Sequence, residues 1–108
     1  DLNQLEQILT NAKPPVDEDL VHVYAVVEGK INGEMQRKEF FETYLPKKIE
    51  GEMWRAISWT TAASLAAVVE LVASKKLPQK GFIKQEEIQL KDFFETKNGS
   101  LLKPKTTL

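Results

Sequence analysis

The 108-residue sequence contains no cysteine and only one histidine, His22. A chain without thiols forms neither disulfides nor thiolate metal sites, and a single histidine excludes multi-histidine zinc centres. The formal net charge is only −1, whereas a nucleic-acid-binding domain normally carries a strongly basic face. We therefore expect a protein without a metal site or a nucleic-acid partner, and the lack of cysteine suits a reducing cytoplasm.

Glycine is also sparse, with five residues dispersed at positions 29, 33, 51, 81 and 99. They form no Gly-rich turn of the kind that binds a dinucleotide, so the chain is not expected to hold such a cofactor by itself. The longest apolar-rich run covers residues 62–73, whereas a membrane-spanning helix needs about 20 residues. This run is therefore predicted to be a core helix, and no membrane partner is expected.

The first half of the sequence predicts a helix followed by a hairpin. Apolar residues recur at helical spacing over residues 2–9, and Pro14-Pro15 ends the pattern. Residues 20–27 are mostly β-branched or aromatic, and Asn32-Gly33 then favours a type I′ turn. A return strand over residues 34–44 would pair so that partner numbers sum to 65, with Ala25 opposite Phe40.

The second half predicts one central helix and a short terminal element. The helix is expected to begin near residues 58–60, capped by a hydroxyl of Ser58, Thr60 or Thr61, and to end before Pro78. Residues 81–83 resemble a short extended stretch, residues 90–96 a last short helix or turn, and the tail after Asn98-Gly99 is expected to be frayed. The predicted fold class is α+β, with an antiparallel hairpin or sheet packed against a central apolar helix.

Residues 62–73 are apolar almost all the way round the helix, which indicates burial on more than one side. A chain of this size has little other material to cover both that helix and a long hairpin. The chain also starts at Asp1 without a methionine or a signal-like segment. We therefore expect a piece of a larger two-domain protein.

Two segments resemble the carboxy-terminal end of the saccharopine dehydrogenase family. The first is Trp59-Thr60-Thr61-Ala62-Ala63, in a Thr-Ala-rich helix that follows a hairpin with Gly33 at its turn. The second is the tail that starts at Gly81, which contains the pattern Gly81, Phe82, Gln85, Glu86, Ile88, Leu90 and Phe93. The resemblance covers roughly residues 19–102, and the tail is its most specific part.

The resemblance implies that residues 1–108 are a single carboxy-terminal segment for substrate binding and dimerisation, separated from an amino-terminal Rossmann domain. The intact enzyme would be a cytoplasmic, homodimeric oxidoreductase of lysine metabolism. It would use either NAD or NADP to transfer a hydride at the carbon–nitrogen bond of an amino-acid-derived secondary amine. The segment alone would be inactive and would bind no cofactor.

No residue is predicted to be catalytic, and five are candidates for substrate binding. Arg37 and Arg55 are the only arginines, and a guanidinium suits the carboxylates of a saccharopine-like substrate. Trp59, Thr60 and Thr61 lie at the expected amino end of the central helix, where free N–H groups favour an anion. The alternative interpretations are surface ion pairs for the arginines, and a helix cap with a core tryptophan for the other three.

Two other functions fit the same residues. The first is a stand-alone homodimeric interaction module without catalysis, held together by the hairpin edge and the apolar helix. The second is a small ligand carrier, which would need a lined pocket. Two single polar residues carry weaker functional hypotheses. His22 could be a general acid or base but has no evident partner in the sequence, and Glu42 is singled out because it lies on a predicted strand among apolar neighbours.

Overall fold

The computed structural model describes residues 1–105, which form three α-helices and two separate antiparallel hairpins. In chain order the elements are α1 (Leu2–Ala12), β1 (Val21–Ile31), β2 (Glu34–Tyr44), β3 (Lys47–Ile49), β4 (Glu52–Trp54), α2 (Ala56–Ala73) and α3 (Leu90–Glu95). Two 3-10 turns, Gln85–Glu87 and Gly99–Leu102, flank α3. The chain is thus a small α+β fold, as predicted.

The long hairpin β1–β2 has the predicted register. Ala25 lies opposite Phe40 and Val23 opposite Glu42, so partner numbers sum to 65 over all eleven pairs. Asn32 and Gly33 have φ values of 53° and 83°, as a type I′ turn requires, and this turn matches the twist of the two strands. Local turn chemistry is therefore sufficient to specify the register of this hairpin.

The start of α2 differs from the prediction. The helix begins at Ala56, not near residues 58–60, and none of Ser58, Thr60 or Thr61 caps it. The cap comes instead from Asp19, whose carboxylate oxygens accept hydrogen bonds from the backbone N–H groups of Ala56 (2.6 Å) and Ile57 (2.8 Å). An acceptor 37 residues upstream cannot be found by local capping rules.

The helix was expected to end before Pro78, and in the structure α2 ends at Ala73. Lys75 adopts a φ of 60°, and the backbone N–H groups of Lys75 and Lys76 donate to the carbonyls of Val72 and Leu71. This is a Schellman motif, which satisfies the last free carbonyls of the helix. It is formed here by a lysine where glycine is usual.

A small core lies where α2 meets the base of β2 and the carboxy-terminal turn. Trp59, Ala63 and Leu102 are buried, and Tyr44 and Phe93 pack against them. The Trp59 ring meets the Tyr44 ring edge-on at 5.6 Å, and its Nε1 donates to the Leu45 carbonyl at 2.9 Å. The hairpin was predicted to pack against the helix, but in the structure only its base does so.

The prediction of a frayed tail is wrong over residues 99–105. Leu102 is part of the core, and its carbonyl accepts a hydrogen bond from the Tyr44 hydroxyl at 2.8 Å. The Glu42 carboxylate accepts a further bond from the Lys105 N–H at 3.1 Å. Residues 81–83 are not a strand, since Gly81 has a φ of 85° and Phe82 is 90% exposed.

The shape of the chain is extended for its size. Its radius of gyration is 17.9 Å, whereas a compact domain of this length has about 13 Å. Its accessible surface is 9182 Å², against about 6,100 Å² for a compact monomer of 12.3 kDa. About 3,000 Å² is therefore exposed beyond what a compact monomer of this mass shows.

Within residues 1–105, α2 is the one helix long and apolar enough to cross a bilayer, with 18 residues and a mean hydropathy of 1.6. It is six residues longer than the apolar run in the sequence, so the argument that it is too short to span a membrane is wrong. Length and composition are weak evidence, because the core helix of a globular domain meets the same criteria. Only 28% of this apolar window is buried inside the structure, and Trp59 lies in the buried part.

Candidate functional site

An apolar groove of about 550 Å³ runs along one side of α2. Its helix wall is formed by Thr61, Ser64, Leu65 and Val68, and its other wall by Ile83, Gln85, Ile88, Leu90 and Phe93. The Ser64 hydroxyl donates to the Thr61 carbonyl of its own helix at 2.9 Å. Both the volume and the mostly aliphatic and aromatic lining are typical of small-molecule pockets.

The apolar spacing of the tail explains the second wall. The 3-10 turn Gln85–Glu87 brings Ile88 back toward α2, and α3 then places Phe93 against the same helix. Phe93 and Phe94 both pack against the core formed by Trp59, Ala63 and Leu102, which holds α3 in position. Four of the seven tail residues named for the resemblance therefore line one surface together with α2: Gln85, Ile88, Leu90 and Phe93.

A carboxylate of α2 also binds the loop that follows α3. Glu70 on α2 accepts hydrogen bonds from the backbone N–H groups of Lys97 (2.8 Å) and Asn98 (2.9 Å), and from the Asn98 amide (2.5 Å). These bonds to the N–H and amide groups of Asn98 lower the pKa of Glu70 below its ordinary value of 4.5, with Lys97 adding to the effect. Glu70, an interruption in the apolar run, thus ties α2 to the loop after α3.

Asp19 and Glu70 together predict that the tertiary structure weakens in acid. The N–H groups of Ile57 and Ala56 lower the pKa of Asp19 below its ordinary value of 3.8. Carboxyls with a lowered folded-state pKa contribute stability that is present above their unfolded-state pKa and is lost as the pH falls through the folded-state value. We expect urea midpoints to fall from about pH 5 downward.

A variant with both Asp19→Asn and Glu70→Gln should be less stable at neutral pH, and its stability should decrease less on acidification. The matched variant with Asp17→Asn and Glu87→Gln should behave as the wild type, and an identical acid response in the first variant would contradict this assignment.

The anion site predicted at the amino end of α2 is occupied by the chain itself. The first free N–H groups of the helix, on Ala56 and Ile57, are satisfied by Asp19. The Trp59 N–H already bonds the Arg55 carbonyl at 3.1 Å, and the Thr60 hydroxyl bonds the Ala56 carbonyl at 2.7 Å. These backbone N–H groups are therefore not free to bind a substrate anion near residues 59–61.

The five predicted substrate residues do not converge on one point. Trp59 is in the core and Thr60 bonds its own helix, while Thr61 is exposed at the wall of the groove. Arg55 is exposed at the N-cap of α2, and its charge helps to lower the pKa of Asp19. Contact of these residues with a substrate stays a prediction.

Arg37 lies on the hairpin, where two carboxylates already bind it. Its guanidinium reaches Glu28 at 2.7 Å across the strands and Glu39 at 2.6 Å along its own strand. The bonds to Glu39, Glu28 and the Tyr24 hydroxyl raise the pKa of Arg37 above its ordinary value. A substrate carboxylate would have to compete with both acids, so the geometry here is that of a surface ion pair.

The two polar residues with weak functional readings have structural contacts. His22 stacks on Phe41 with ring centroids 5.7 Å apart, and its Nδ1 is 2.9 Å from the Thr43 hydroxyl. Glu42 accepts hydrogen bonds from the backbone N–H groups of Thr43 and Lys105. Across residues 1–105, no three His, Cys, Asp or Glu side chains are grouped to hold a metal ion.

Sequence reasoning missed the two residues that hold the structure around α2. No role was assigned from the sequence to Asp19, which lies in the acidic run 17–19, or to Glu70, which interrupts the apolar run 62–73. A signal was present for Glu70, because a lone carboxylate inside such a helix needs partners. No protein-family model matches the chain, and comparisons with curated proteins and with solved structures give no match.

Proposed function

We propose that this chain is the carboxy-terminal part of an NAD(P)-dependent oxidoreductase similar to saccharopine dehydrogenase, contributing substrate binding and dimerisation. In this proposal α2 docks its outer face on the dinucleotide-binding unit of the parent enzyme. The observation that carries the proposal is the apolar face of α2 that the chain leaves uncovered.

The two sides of α2 differ in exposure although both are apolar. One stripe, formed by Ala56, Trp59, Ala63, Ala67 and Leu71, is buried against the rest of the chain. On the outer side Ile57, Leu65 and Val69 are 54%, 68% and 59% exposed. Contiguous exposed apolar surface of this kind on a helix marks a contact with protein or lipid.

The amount of uncovered surface supports a large contact. Obligate interfaces bury 2,000–5,000 Å² or more in total, roughly half of it on each partner. The excess of about 3,000 Å² estimated for this chain is enough for one such contact and for a second, smaller one. Within residues 1–105, the face of α2 and the two faces of the hairpin supply half of the large exposed apolar side chains, among them Tyr24, Val26, Val27, Met35, Phe41, Ile57, Leu65 and Val69.

The chain itself does not fit a dinucleotide. The described residues contain no parallel βαβ unit, and the sequence has no Gly-rich turn between a strand and a helix. The nicotinamide would supply the hydride chemistry in the parent enzyme, while this chain's residues would orient the substrate. Arg37, Arg55 and Thr61 are the candidates for this role that are exposed, and Arg37 is already paired with Glu28 and Glu39.

The chain alone is expected to give no change in nicotinamide fluorescence when NADPH is titrated into it. The physical reason is that, in the described part of the chain, the β4–α2 junction has its first helix N–H groups bonded by Asp19 and presents none to a pyrophosphate. Binding in the micromolar range would contradict the proposal. Catalytically competent saccharopine dehydrogenase, which binds the nucleotide, serves as the positive control in the same titration.

The coding frame upstream of the Asp1 codon tests the proposal directly. We expect it to encode a Gly-rich βαβ unit, and we expect the extended product to bind NADPH. In that product Leu65→Asp should weaken assembly of the two units, whereas Glu87→Gln, on the exposed 3-10 turn, should not. A start codon immediately before Asp1 would overturn the proposal and favour the stand-alone homodimeric module.

A further inference from the structure

We propose that the outer edge of β1 pairs antiparallel with β1 of a second copy of the chain. The two hairpins would then form one four-stranded sheet in the order β2–β1–β1–β2. This proposal gives a location to the dimer contact and rests only on the dimerisation part of the proposed function.

The hairpin needs further strands. Each strand has eleven residues, and no third strand joins this sheet within residues 1–105. Large apolar side chains are exposed on both faces, among them Val27 at 64% on one face and Tyr24 and Phe41 at 57% and 59% on the other. An isolated two-stranded hairpin is marginally stable in water, so this one is expected to be completed by pairing.

The two edges of the hairpin differ in their protection. Strand β2 carries five charged residues, distributed along its whole length: Glu34, Arg37, Lys38, Glu39 and Glu42. Strand β1 carries only Glu28 and Lys30, both near the turn, so that residues 21–27 hold no acidic or basic side chain other than His22. Charged side chains on an edge oppose pairing with another strand. The open edge is therefore that of β1.

The turn determines which backbone groups of β1 face outward. In the β-turn around Asn32-Gly33, the Ile31 carbonyl and the Glu34 N–H face each other across the hairpin. Because backbone direction alternates along an antiparallel strand, odd-numbered residues of β1 bond to β2 and even-numbered residues point outward. His22, Tyr24 and Val26 thus present free N–H and carbonyl groups at the unprotected part of the edge.

A two-fold axis between identical strands then restricts the register. Even-numbered residues must pair with even-numbered residues, so the axis passes through a residue pair and not between two pairs. Only an axis at Val26 pairs all of residues 21–31. This register places Glu28 opposite the partner's Tyr24 and keeps the two Glu28 side chains apart.

The proposed sheet also closes the assembly. Its two outer edges are both β2 strands, whose charges oppose further addition, so pairing stops at a dimer. A standard interface buries about 800 Å² on each partner. The uncovered surface of the chain exceeds this amount, so this contact leaves the outer face of α2 for the parent domain.

The experiment uses single-cysteine variants, since the chain contains no cysteine of its own. Val26→Cys is expected to form a disulfide-linked dimer under mild oxidation at least about tenfold faster than Val27→Cys or Met35→Cys, because only residue 26 lies on the axis. Equal rates at the three positions, or faster linkage at either control, would overturn the register.

A proline pair tests the edge itself. Val26→Pro removes an outward N–H of β1, and Glu39→Pro does the same on β2 at the directly opposite position. By light scattering we expect a wild-type dimer, a rise of at least about tenfold in the dimer dissociation constant for Val26→Pro, and little change for Glu39→Pro. An unchanged far-ultraviolet circular dichroism spectrum would show that the β1–β2 hairpin persists in both variants. If either spectrum changes, Val26→Lys and Glu39→Lys replace the two proline variants.

A monomeric wild-type chain, or a dimer that survives Val26→Pro, would overturn the proposal. In the second case the contact runs through another surface, such as the outer face of α2. Cross-linking of the edge to a strand from the extended parent polypeptide would also overturn it, while leaving the oxidoreductase proposal intact. Failure of NADPH binding by the extended product, by contrast, would leave the edge-pairing result unchanged.

Discussion

Replacing Trp59 with alanine is expected to cost about 3–5 kcal/mol of unfolding free energy. The indole is 4% exposed, meets Tyr44 edge-on and packs with Ala63 and Leu102. Its Nε1 also donates to the Leu45 carbonyl, so the substitution leaves a cavity and an unpaired carbonyl at once. Since this side chain joins the hairpin base, α2 and the terminal turn, we expect the chain to lose tertiary packing while it keeps helical content. Urea unfolding followed by near- and far-ultraviolet circular dichroism measures both effects.

Two matched variants separate the causes. Trp54→Ala removes the other tryptophan, which is 42% exposed on β4, and should cost less than about 1 kcal/mol. Trp59→Phe keeps most of the ring volume but removes the donor, so its extra cost reports the hydrogen bond to Leu45, about 1 kcal/mol. Equal losses for Trp54→Ala and Trp59→Ala would contradict the position of the core.

Gly99→Ala is expected to destabilise the chain by about 3 kcal/mol. A Cβ at this position would overlap the Phe93 carbonyl oxygen and lie 2.6 Å from the Thr96 hydroxyl. A backbone atom cannot move aside as a flexible side chain does, so α3 or the turn after it must shift. That shift would displace Leu102 from the core, which thermal unfolding followed by tryptophan fluorescence would detect.

Gly29→Ala is the control for this prediction. Gly29 lies in β1 with no other atom within 4 Å of an added Cβ, and its φ is not positive. Alanine there should be neutral or slightly stabilising, by up to about 1 kcal/mol, because it reduces the freedom of the unfolded chain. A loss at Gly29 similar to that at Gly99 would show that the close approach to Phe93 is not the cause.

The hairpin shows how far local sequence information reaches. Asn32-Gly33 accepts the positive φ values of the turn, and with a two-residue loop the register of all eleven pairs follows. The helix α1 was also predictable, because its apolar spacing and the prolines after it are local signals. What the sequence does not show is the near absence of contact between the hairpin and the rest of the chain.

The amino end of α2 shows the opposite case. Ser58, Thr60 and Thr61 are good capping residues by type, yet the N-cap position is Arg55, three to six residues earlier, and the Asp19 carboxylate supplies the capping bonds. The tail shows the same effect, since residues after Gly99 have no strong helical pattern and are held by Tyr44, Trp59 and Glu42. Both errors arose where a partner distant in sequence supplies the stabilising contact.

The sequence by itself determined the α+β class, the position and register of the long hairpin and the apolar character of α2, because turn preference and residue periodicity act within a few positions. Only the tertiary structure decided where α2 begins, that Glu70 and Asp19 hold it in place, and which side of it is covered. These features depend on hydrogen bonds and packing between segments far apart in the chain. No local sequence pattern predicts that one apolar stripe of α2 is buried while the other is exposed.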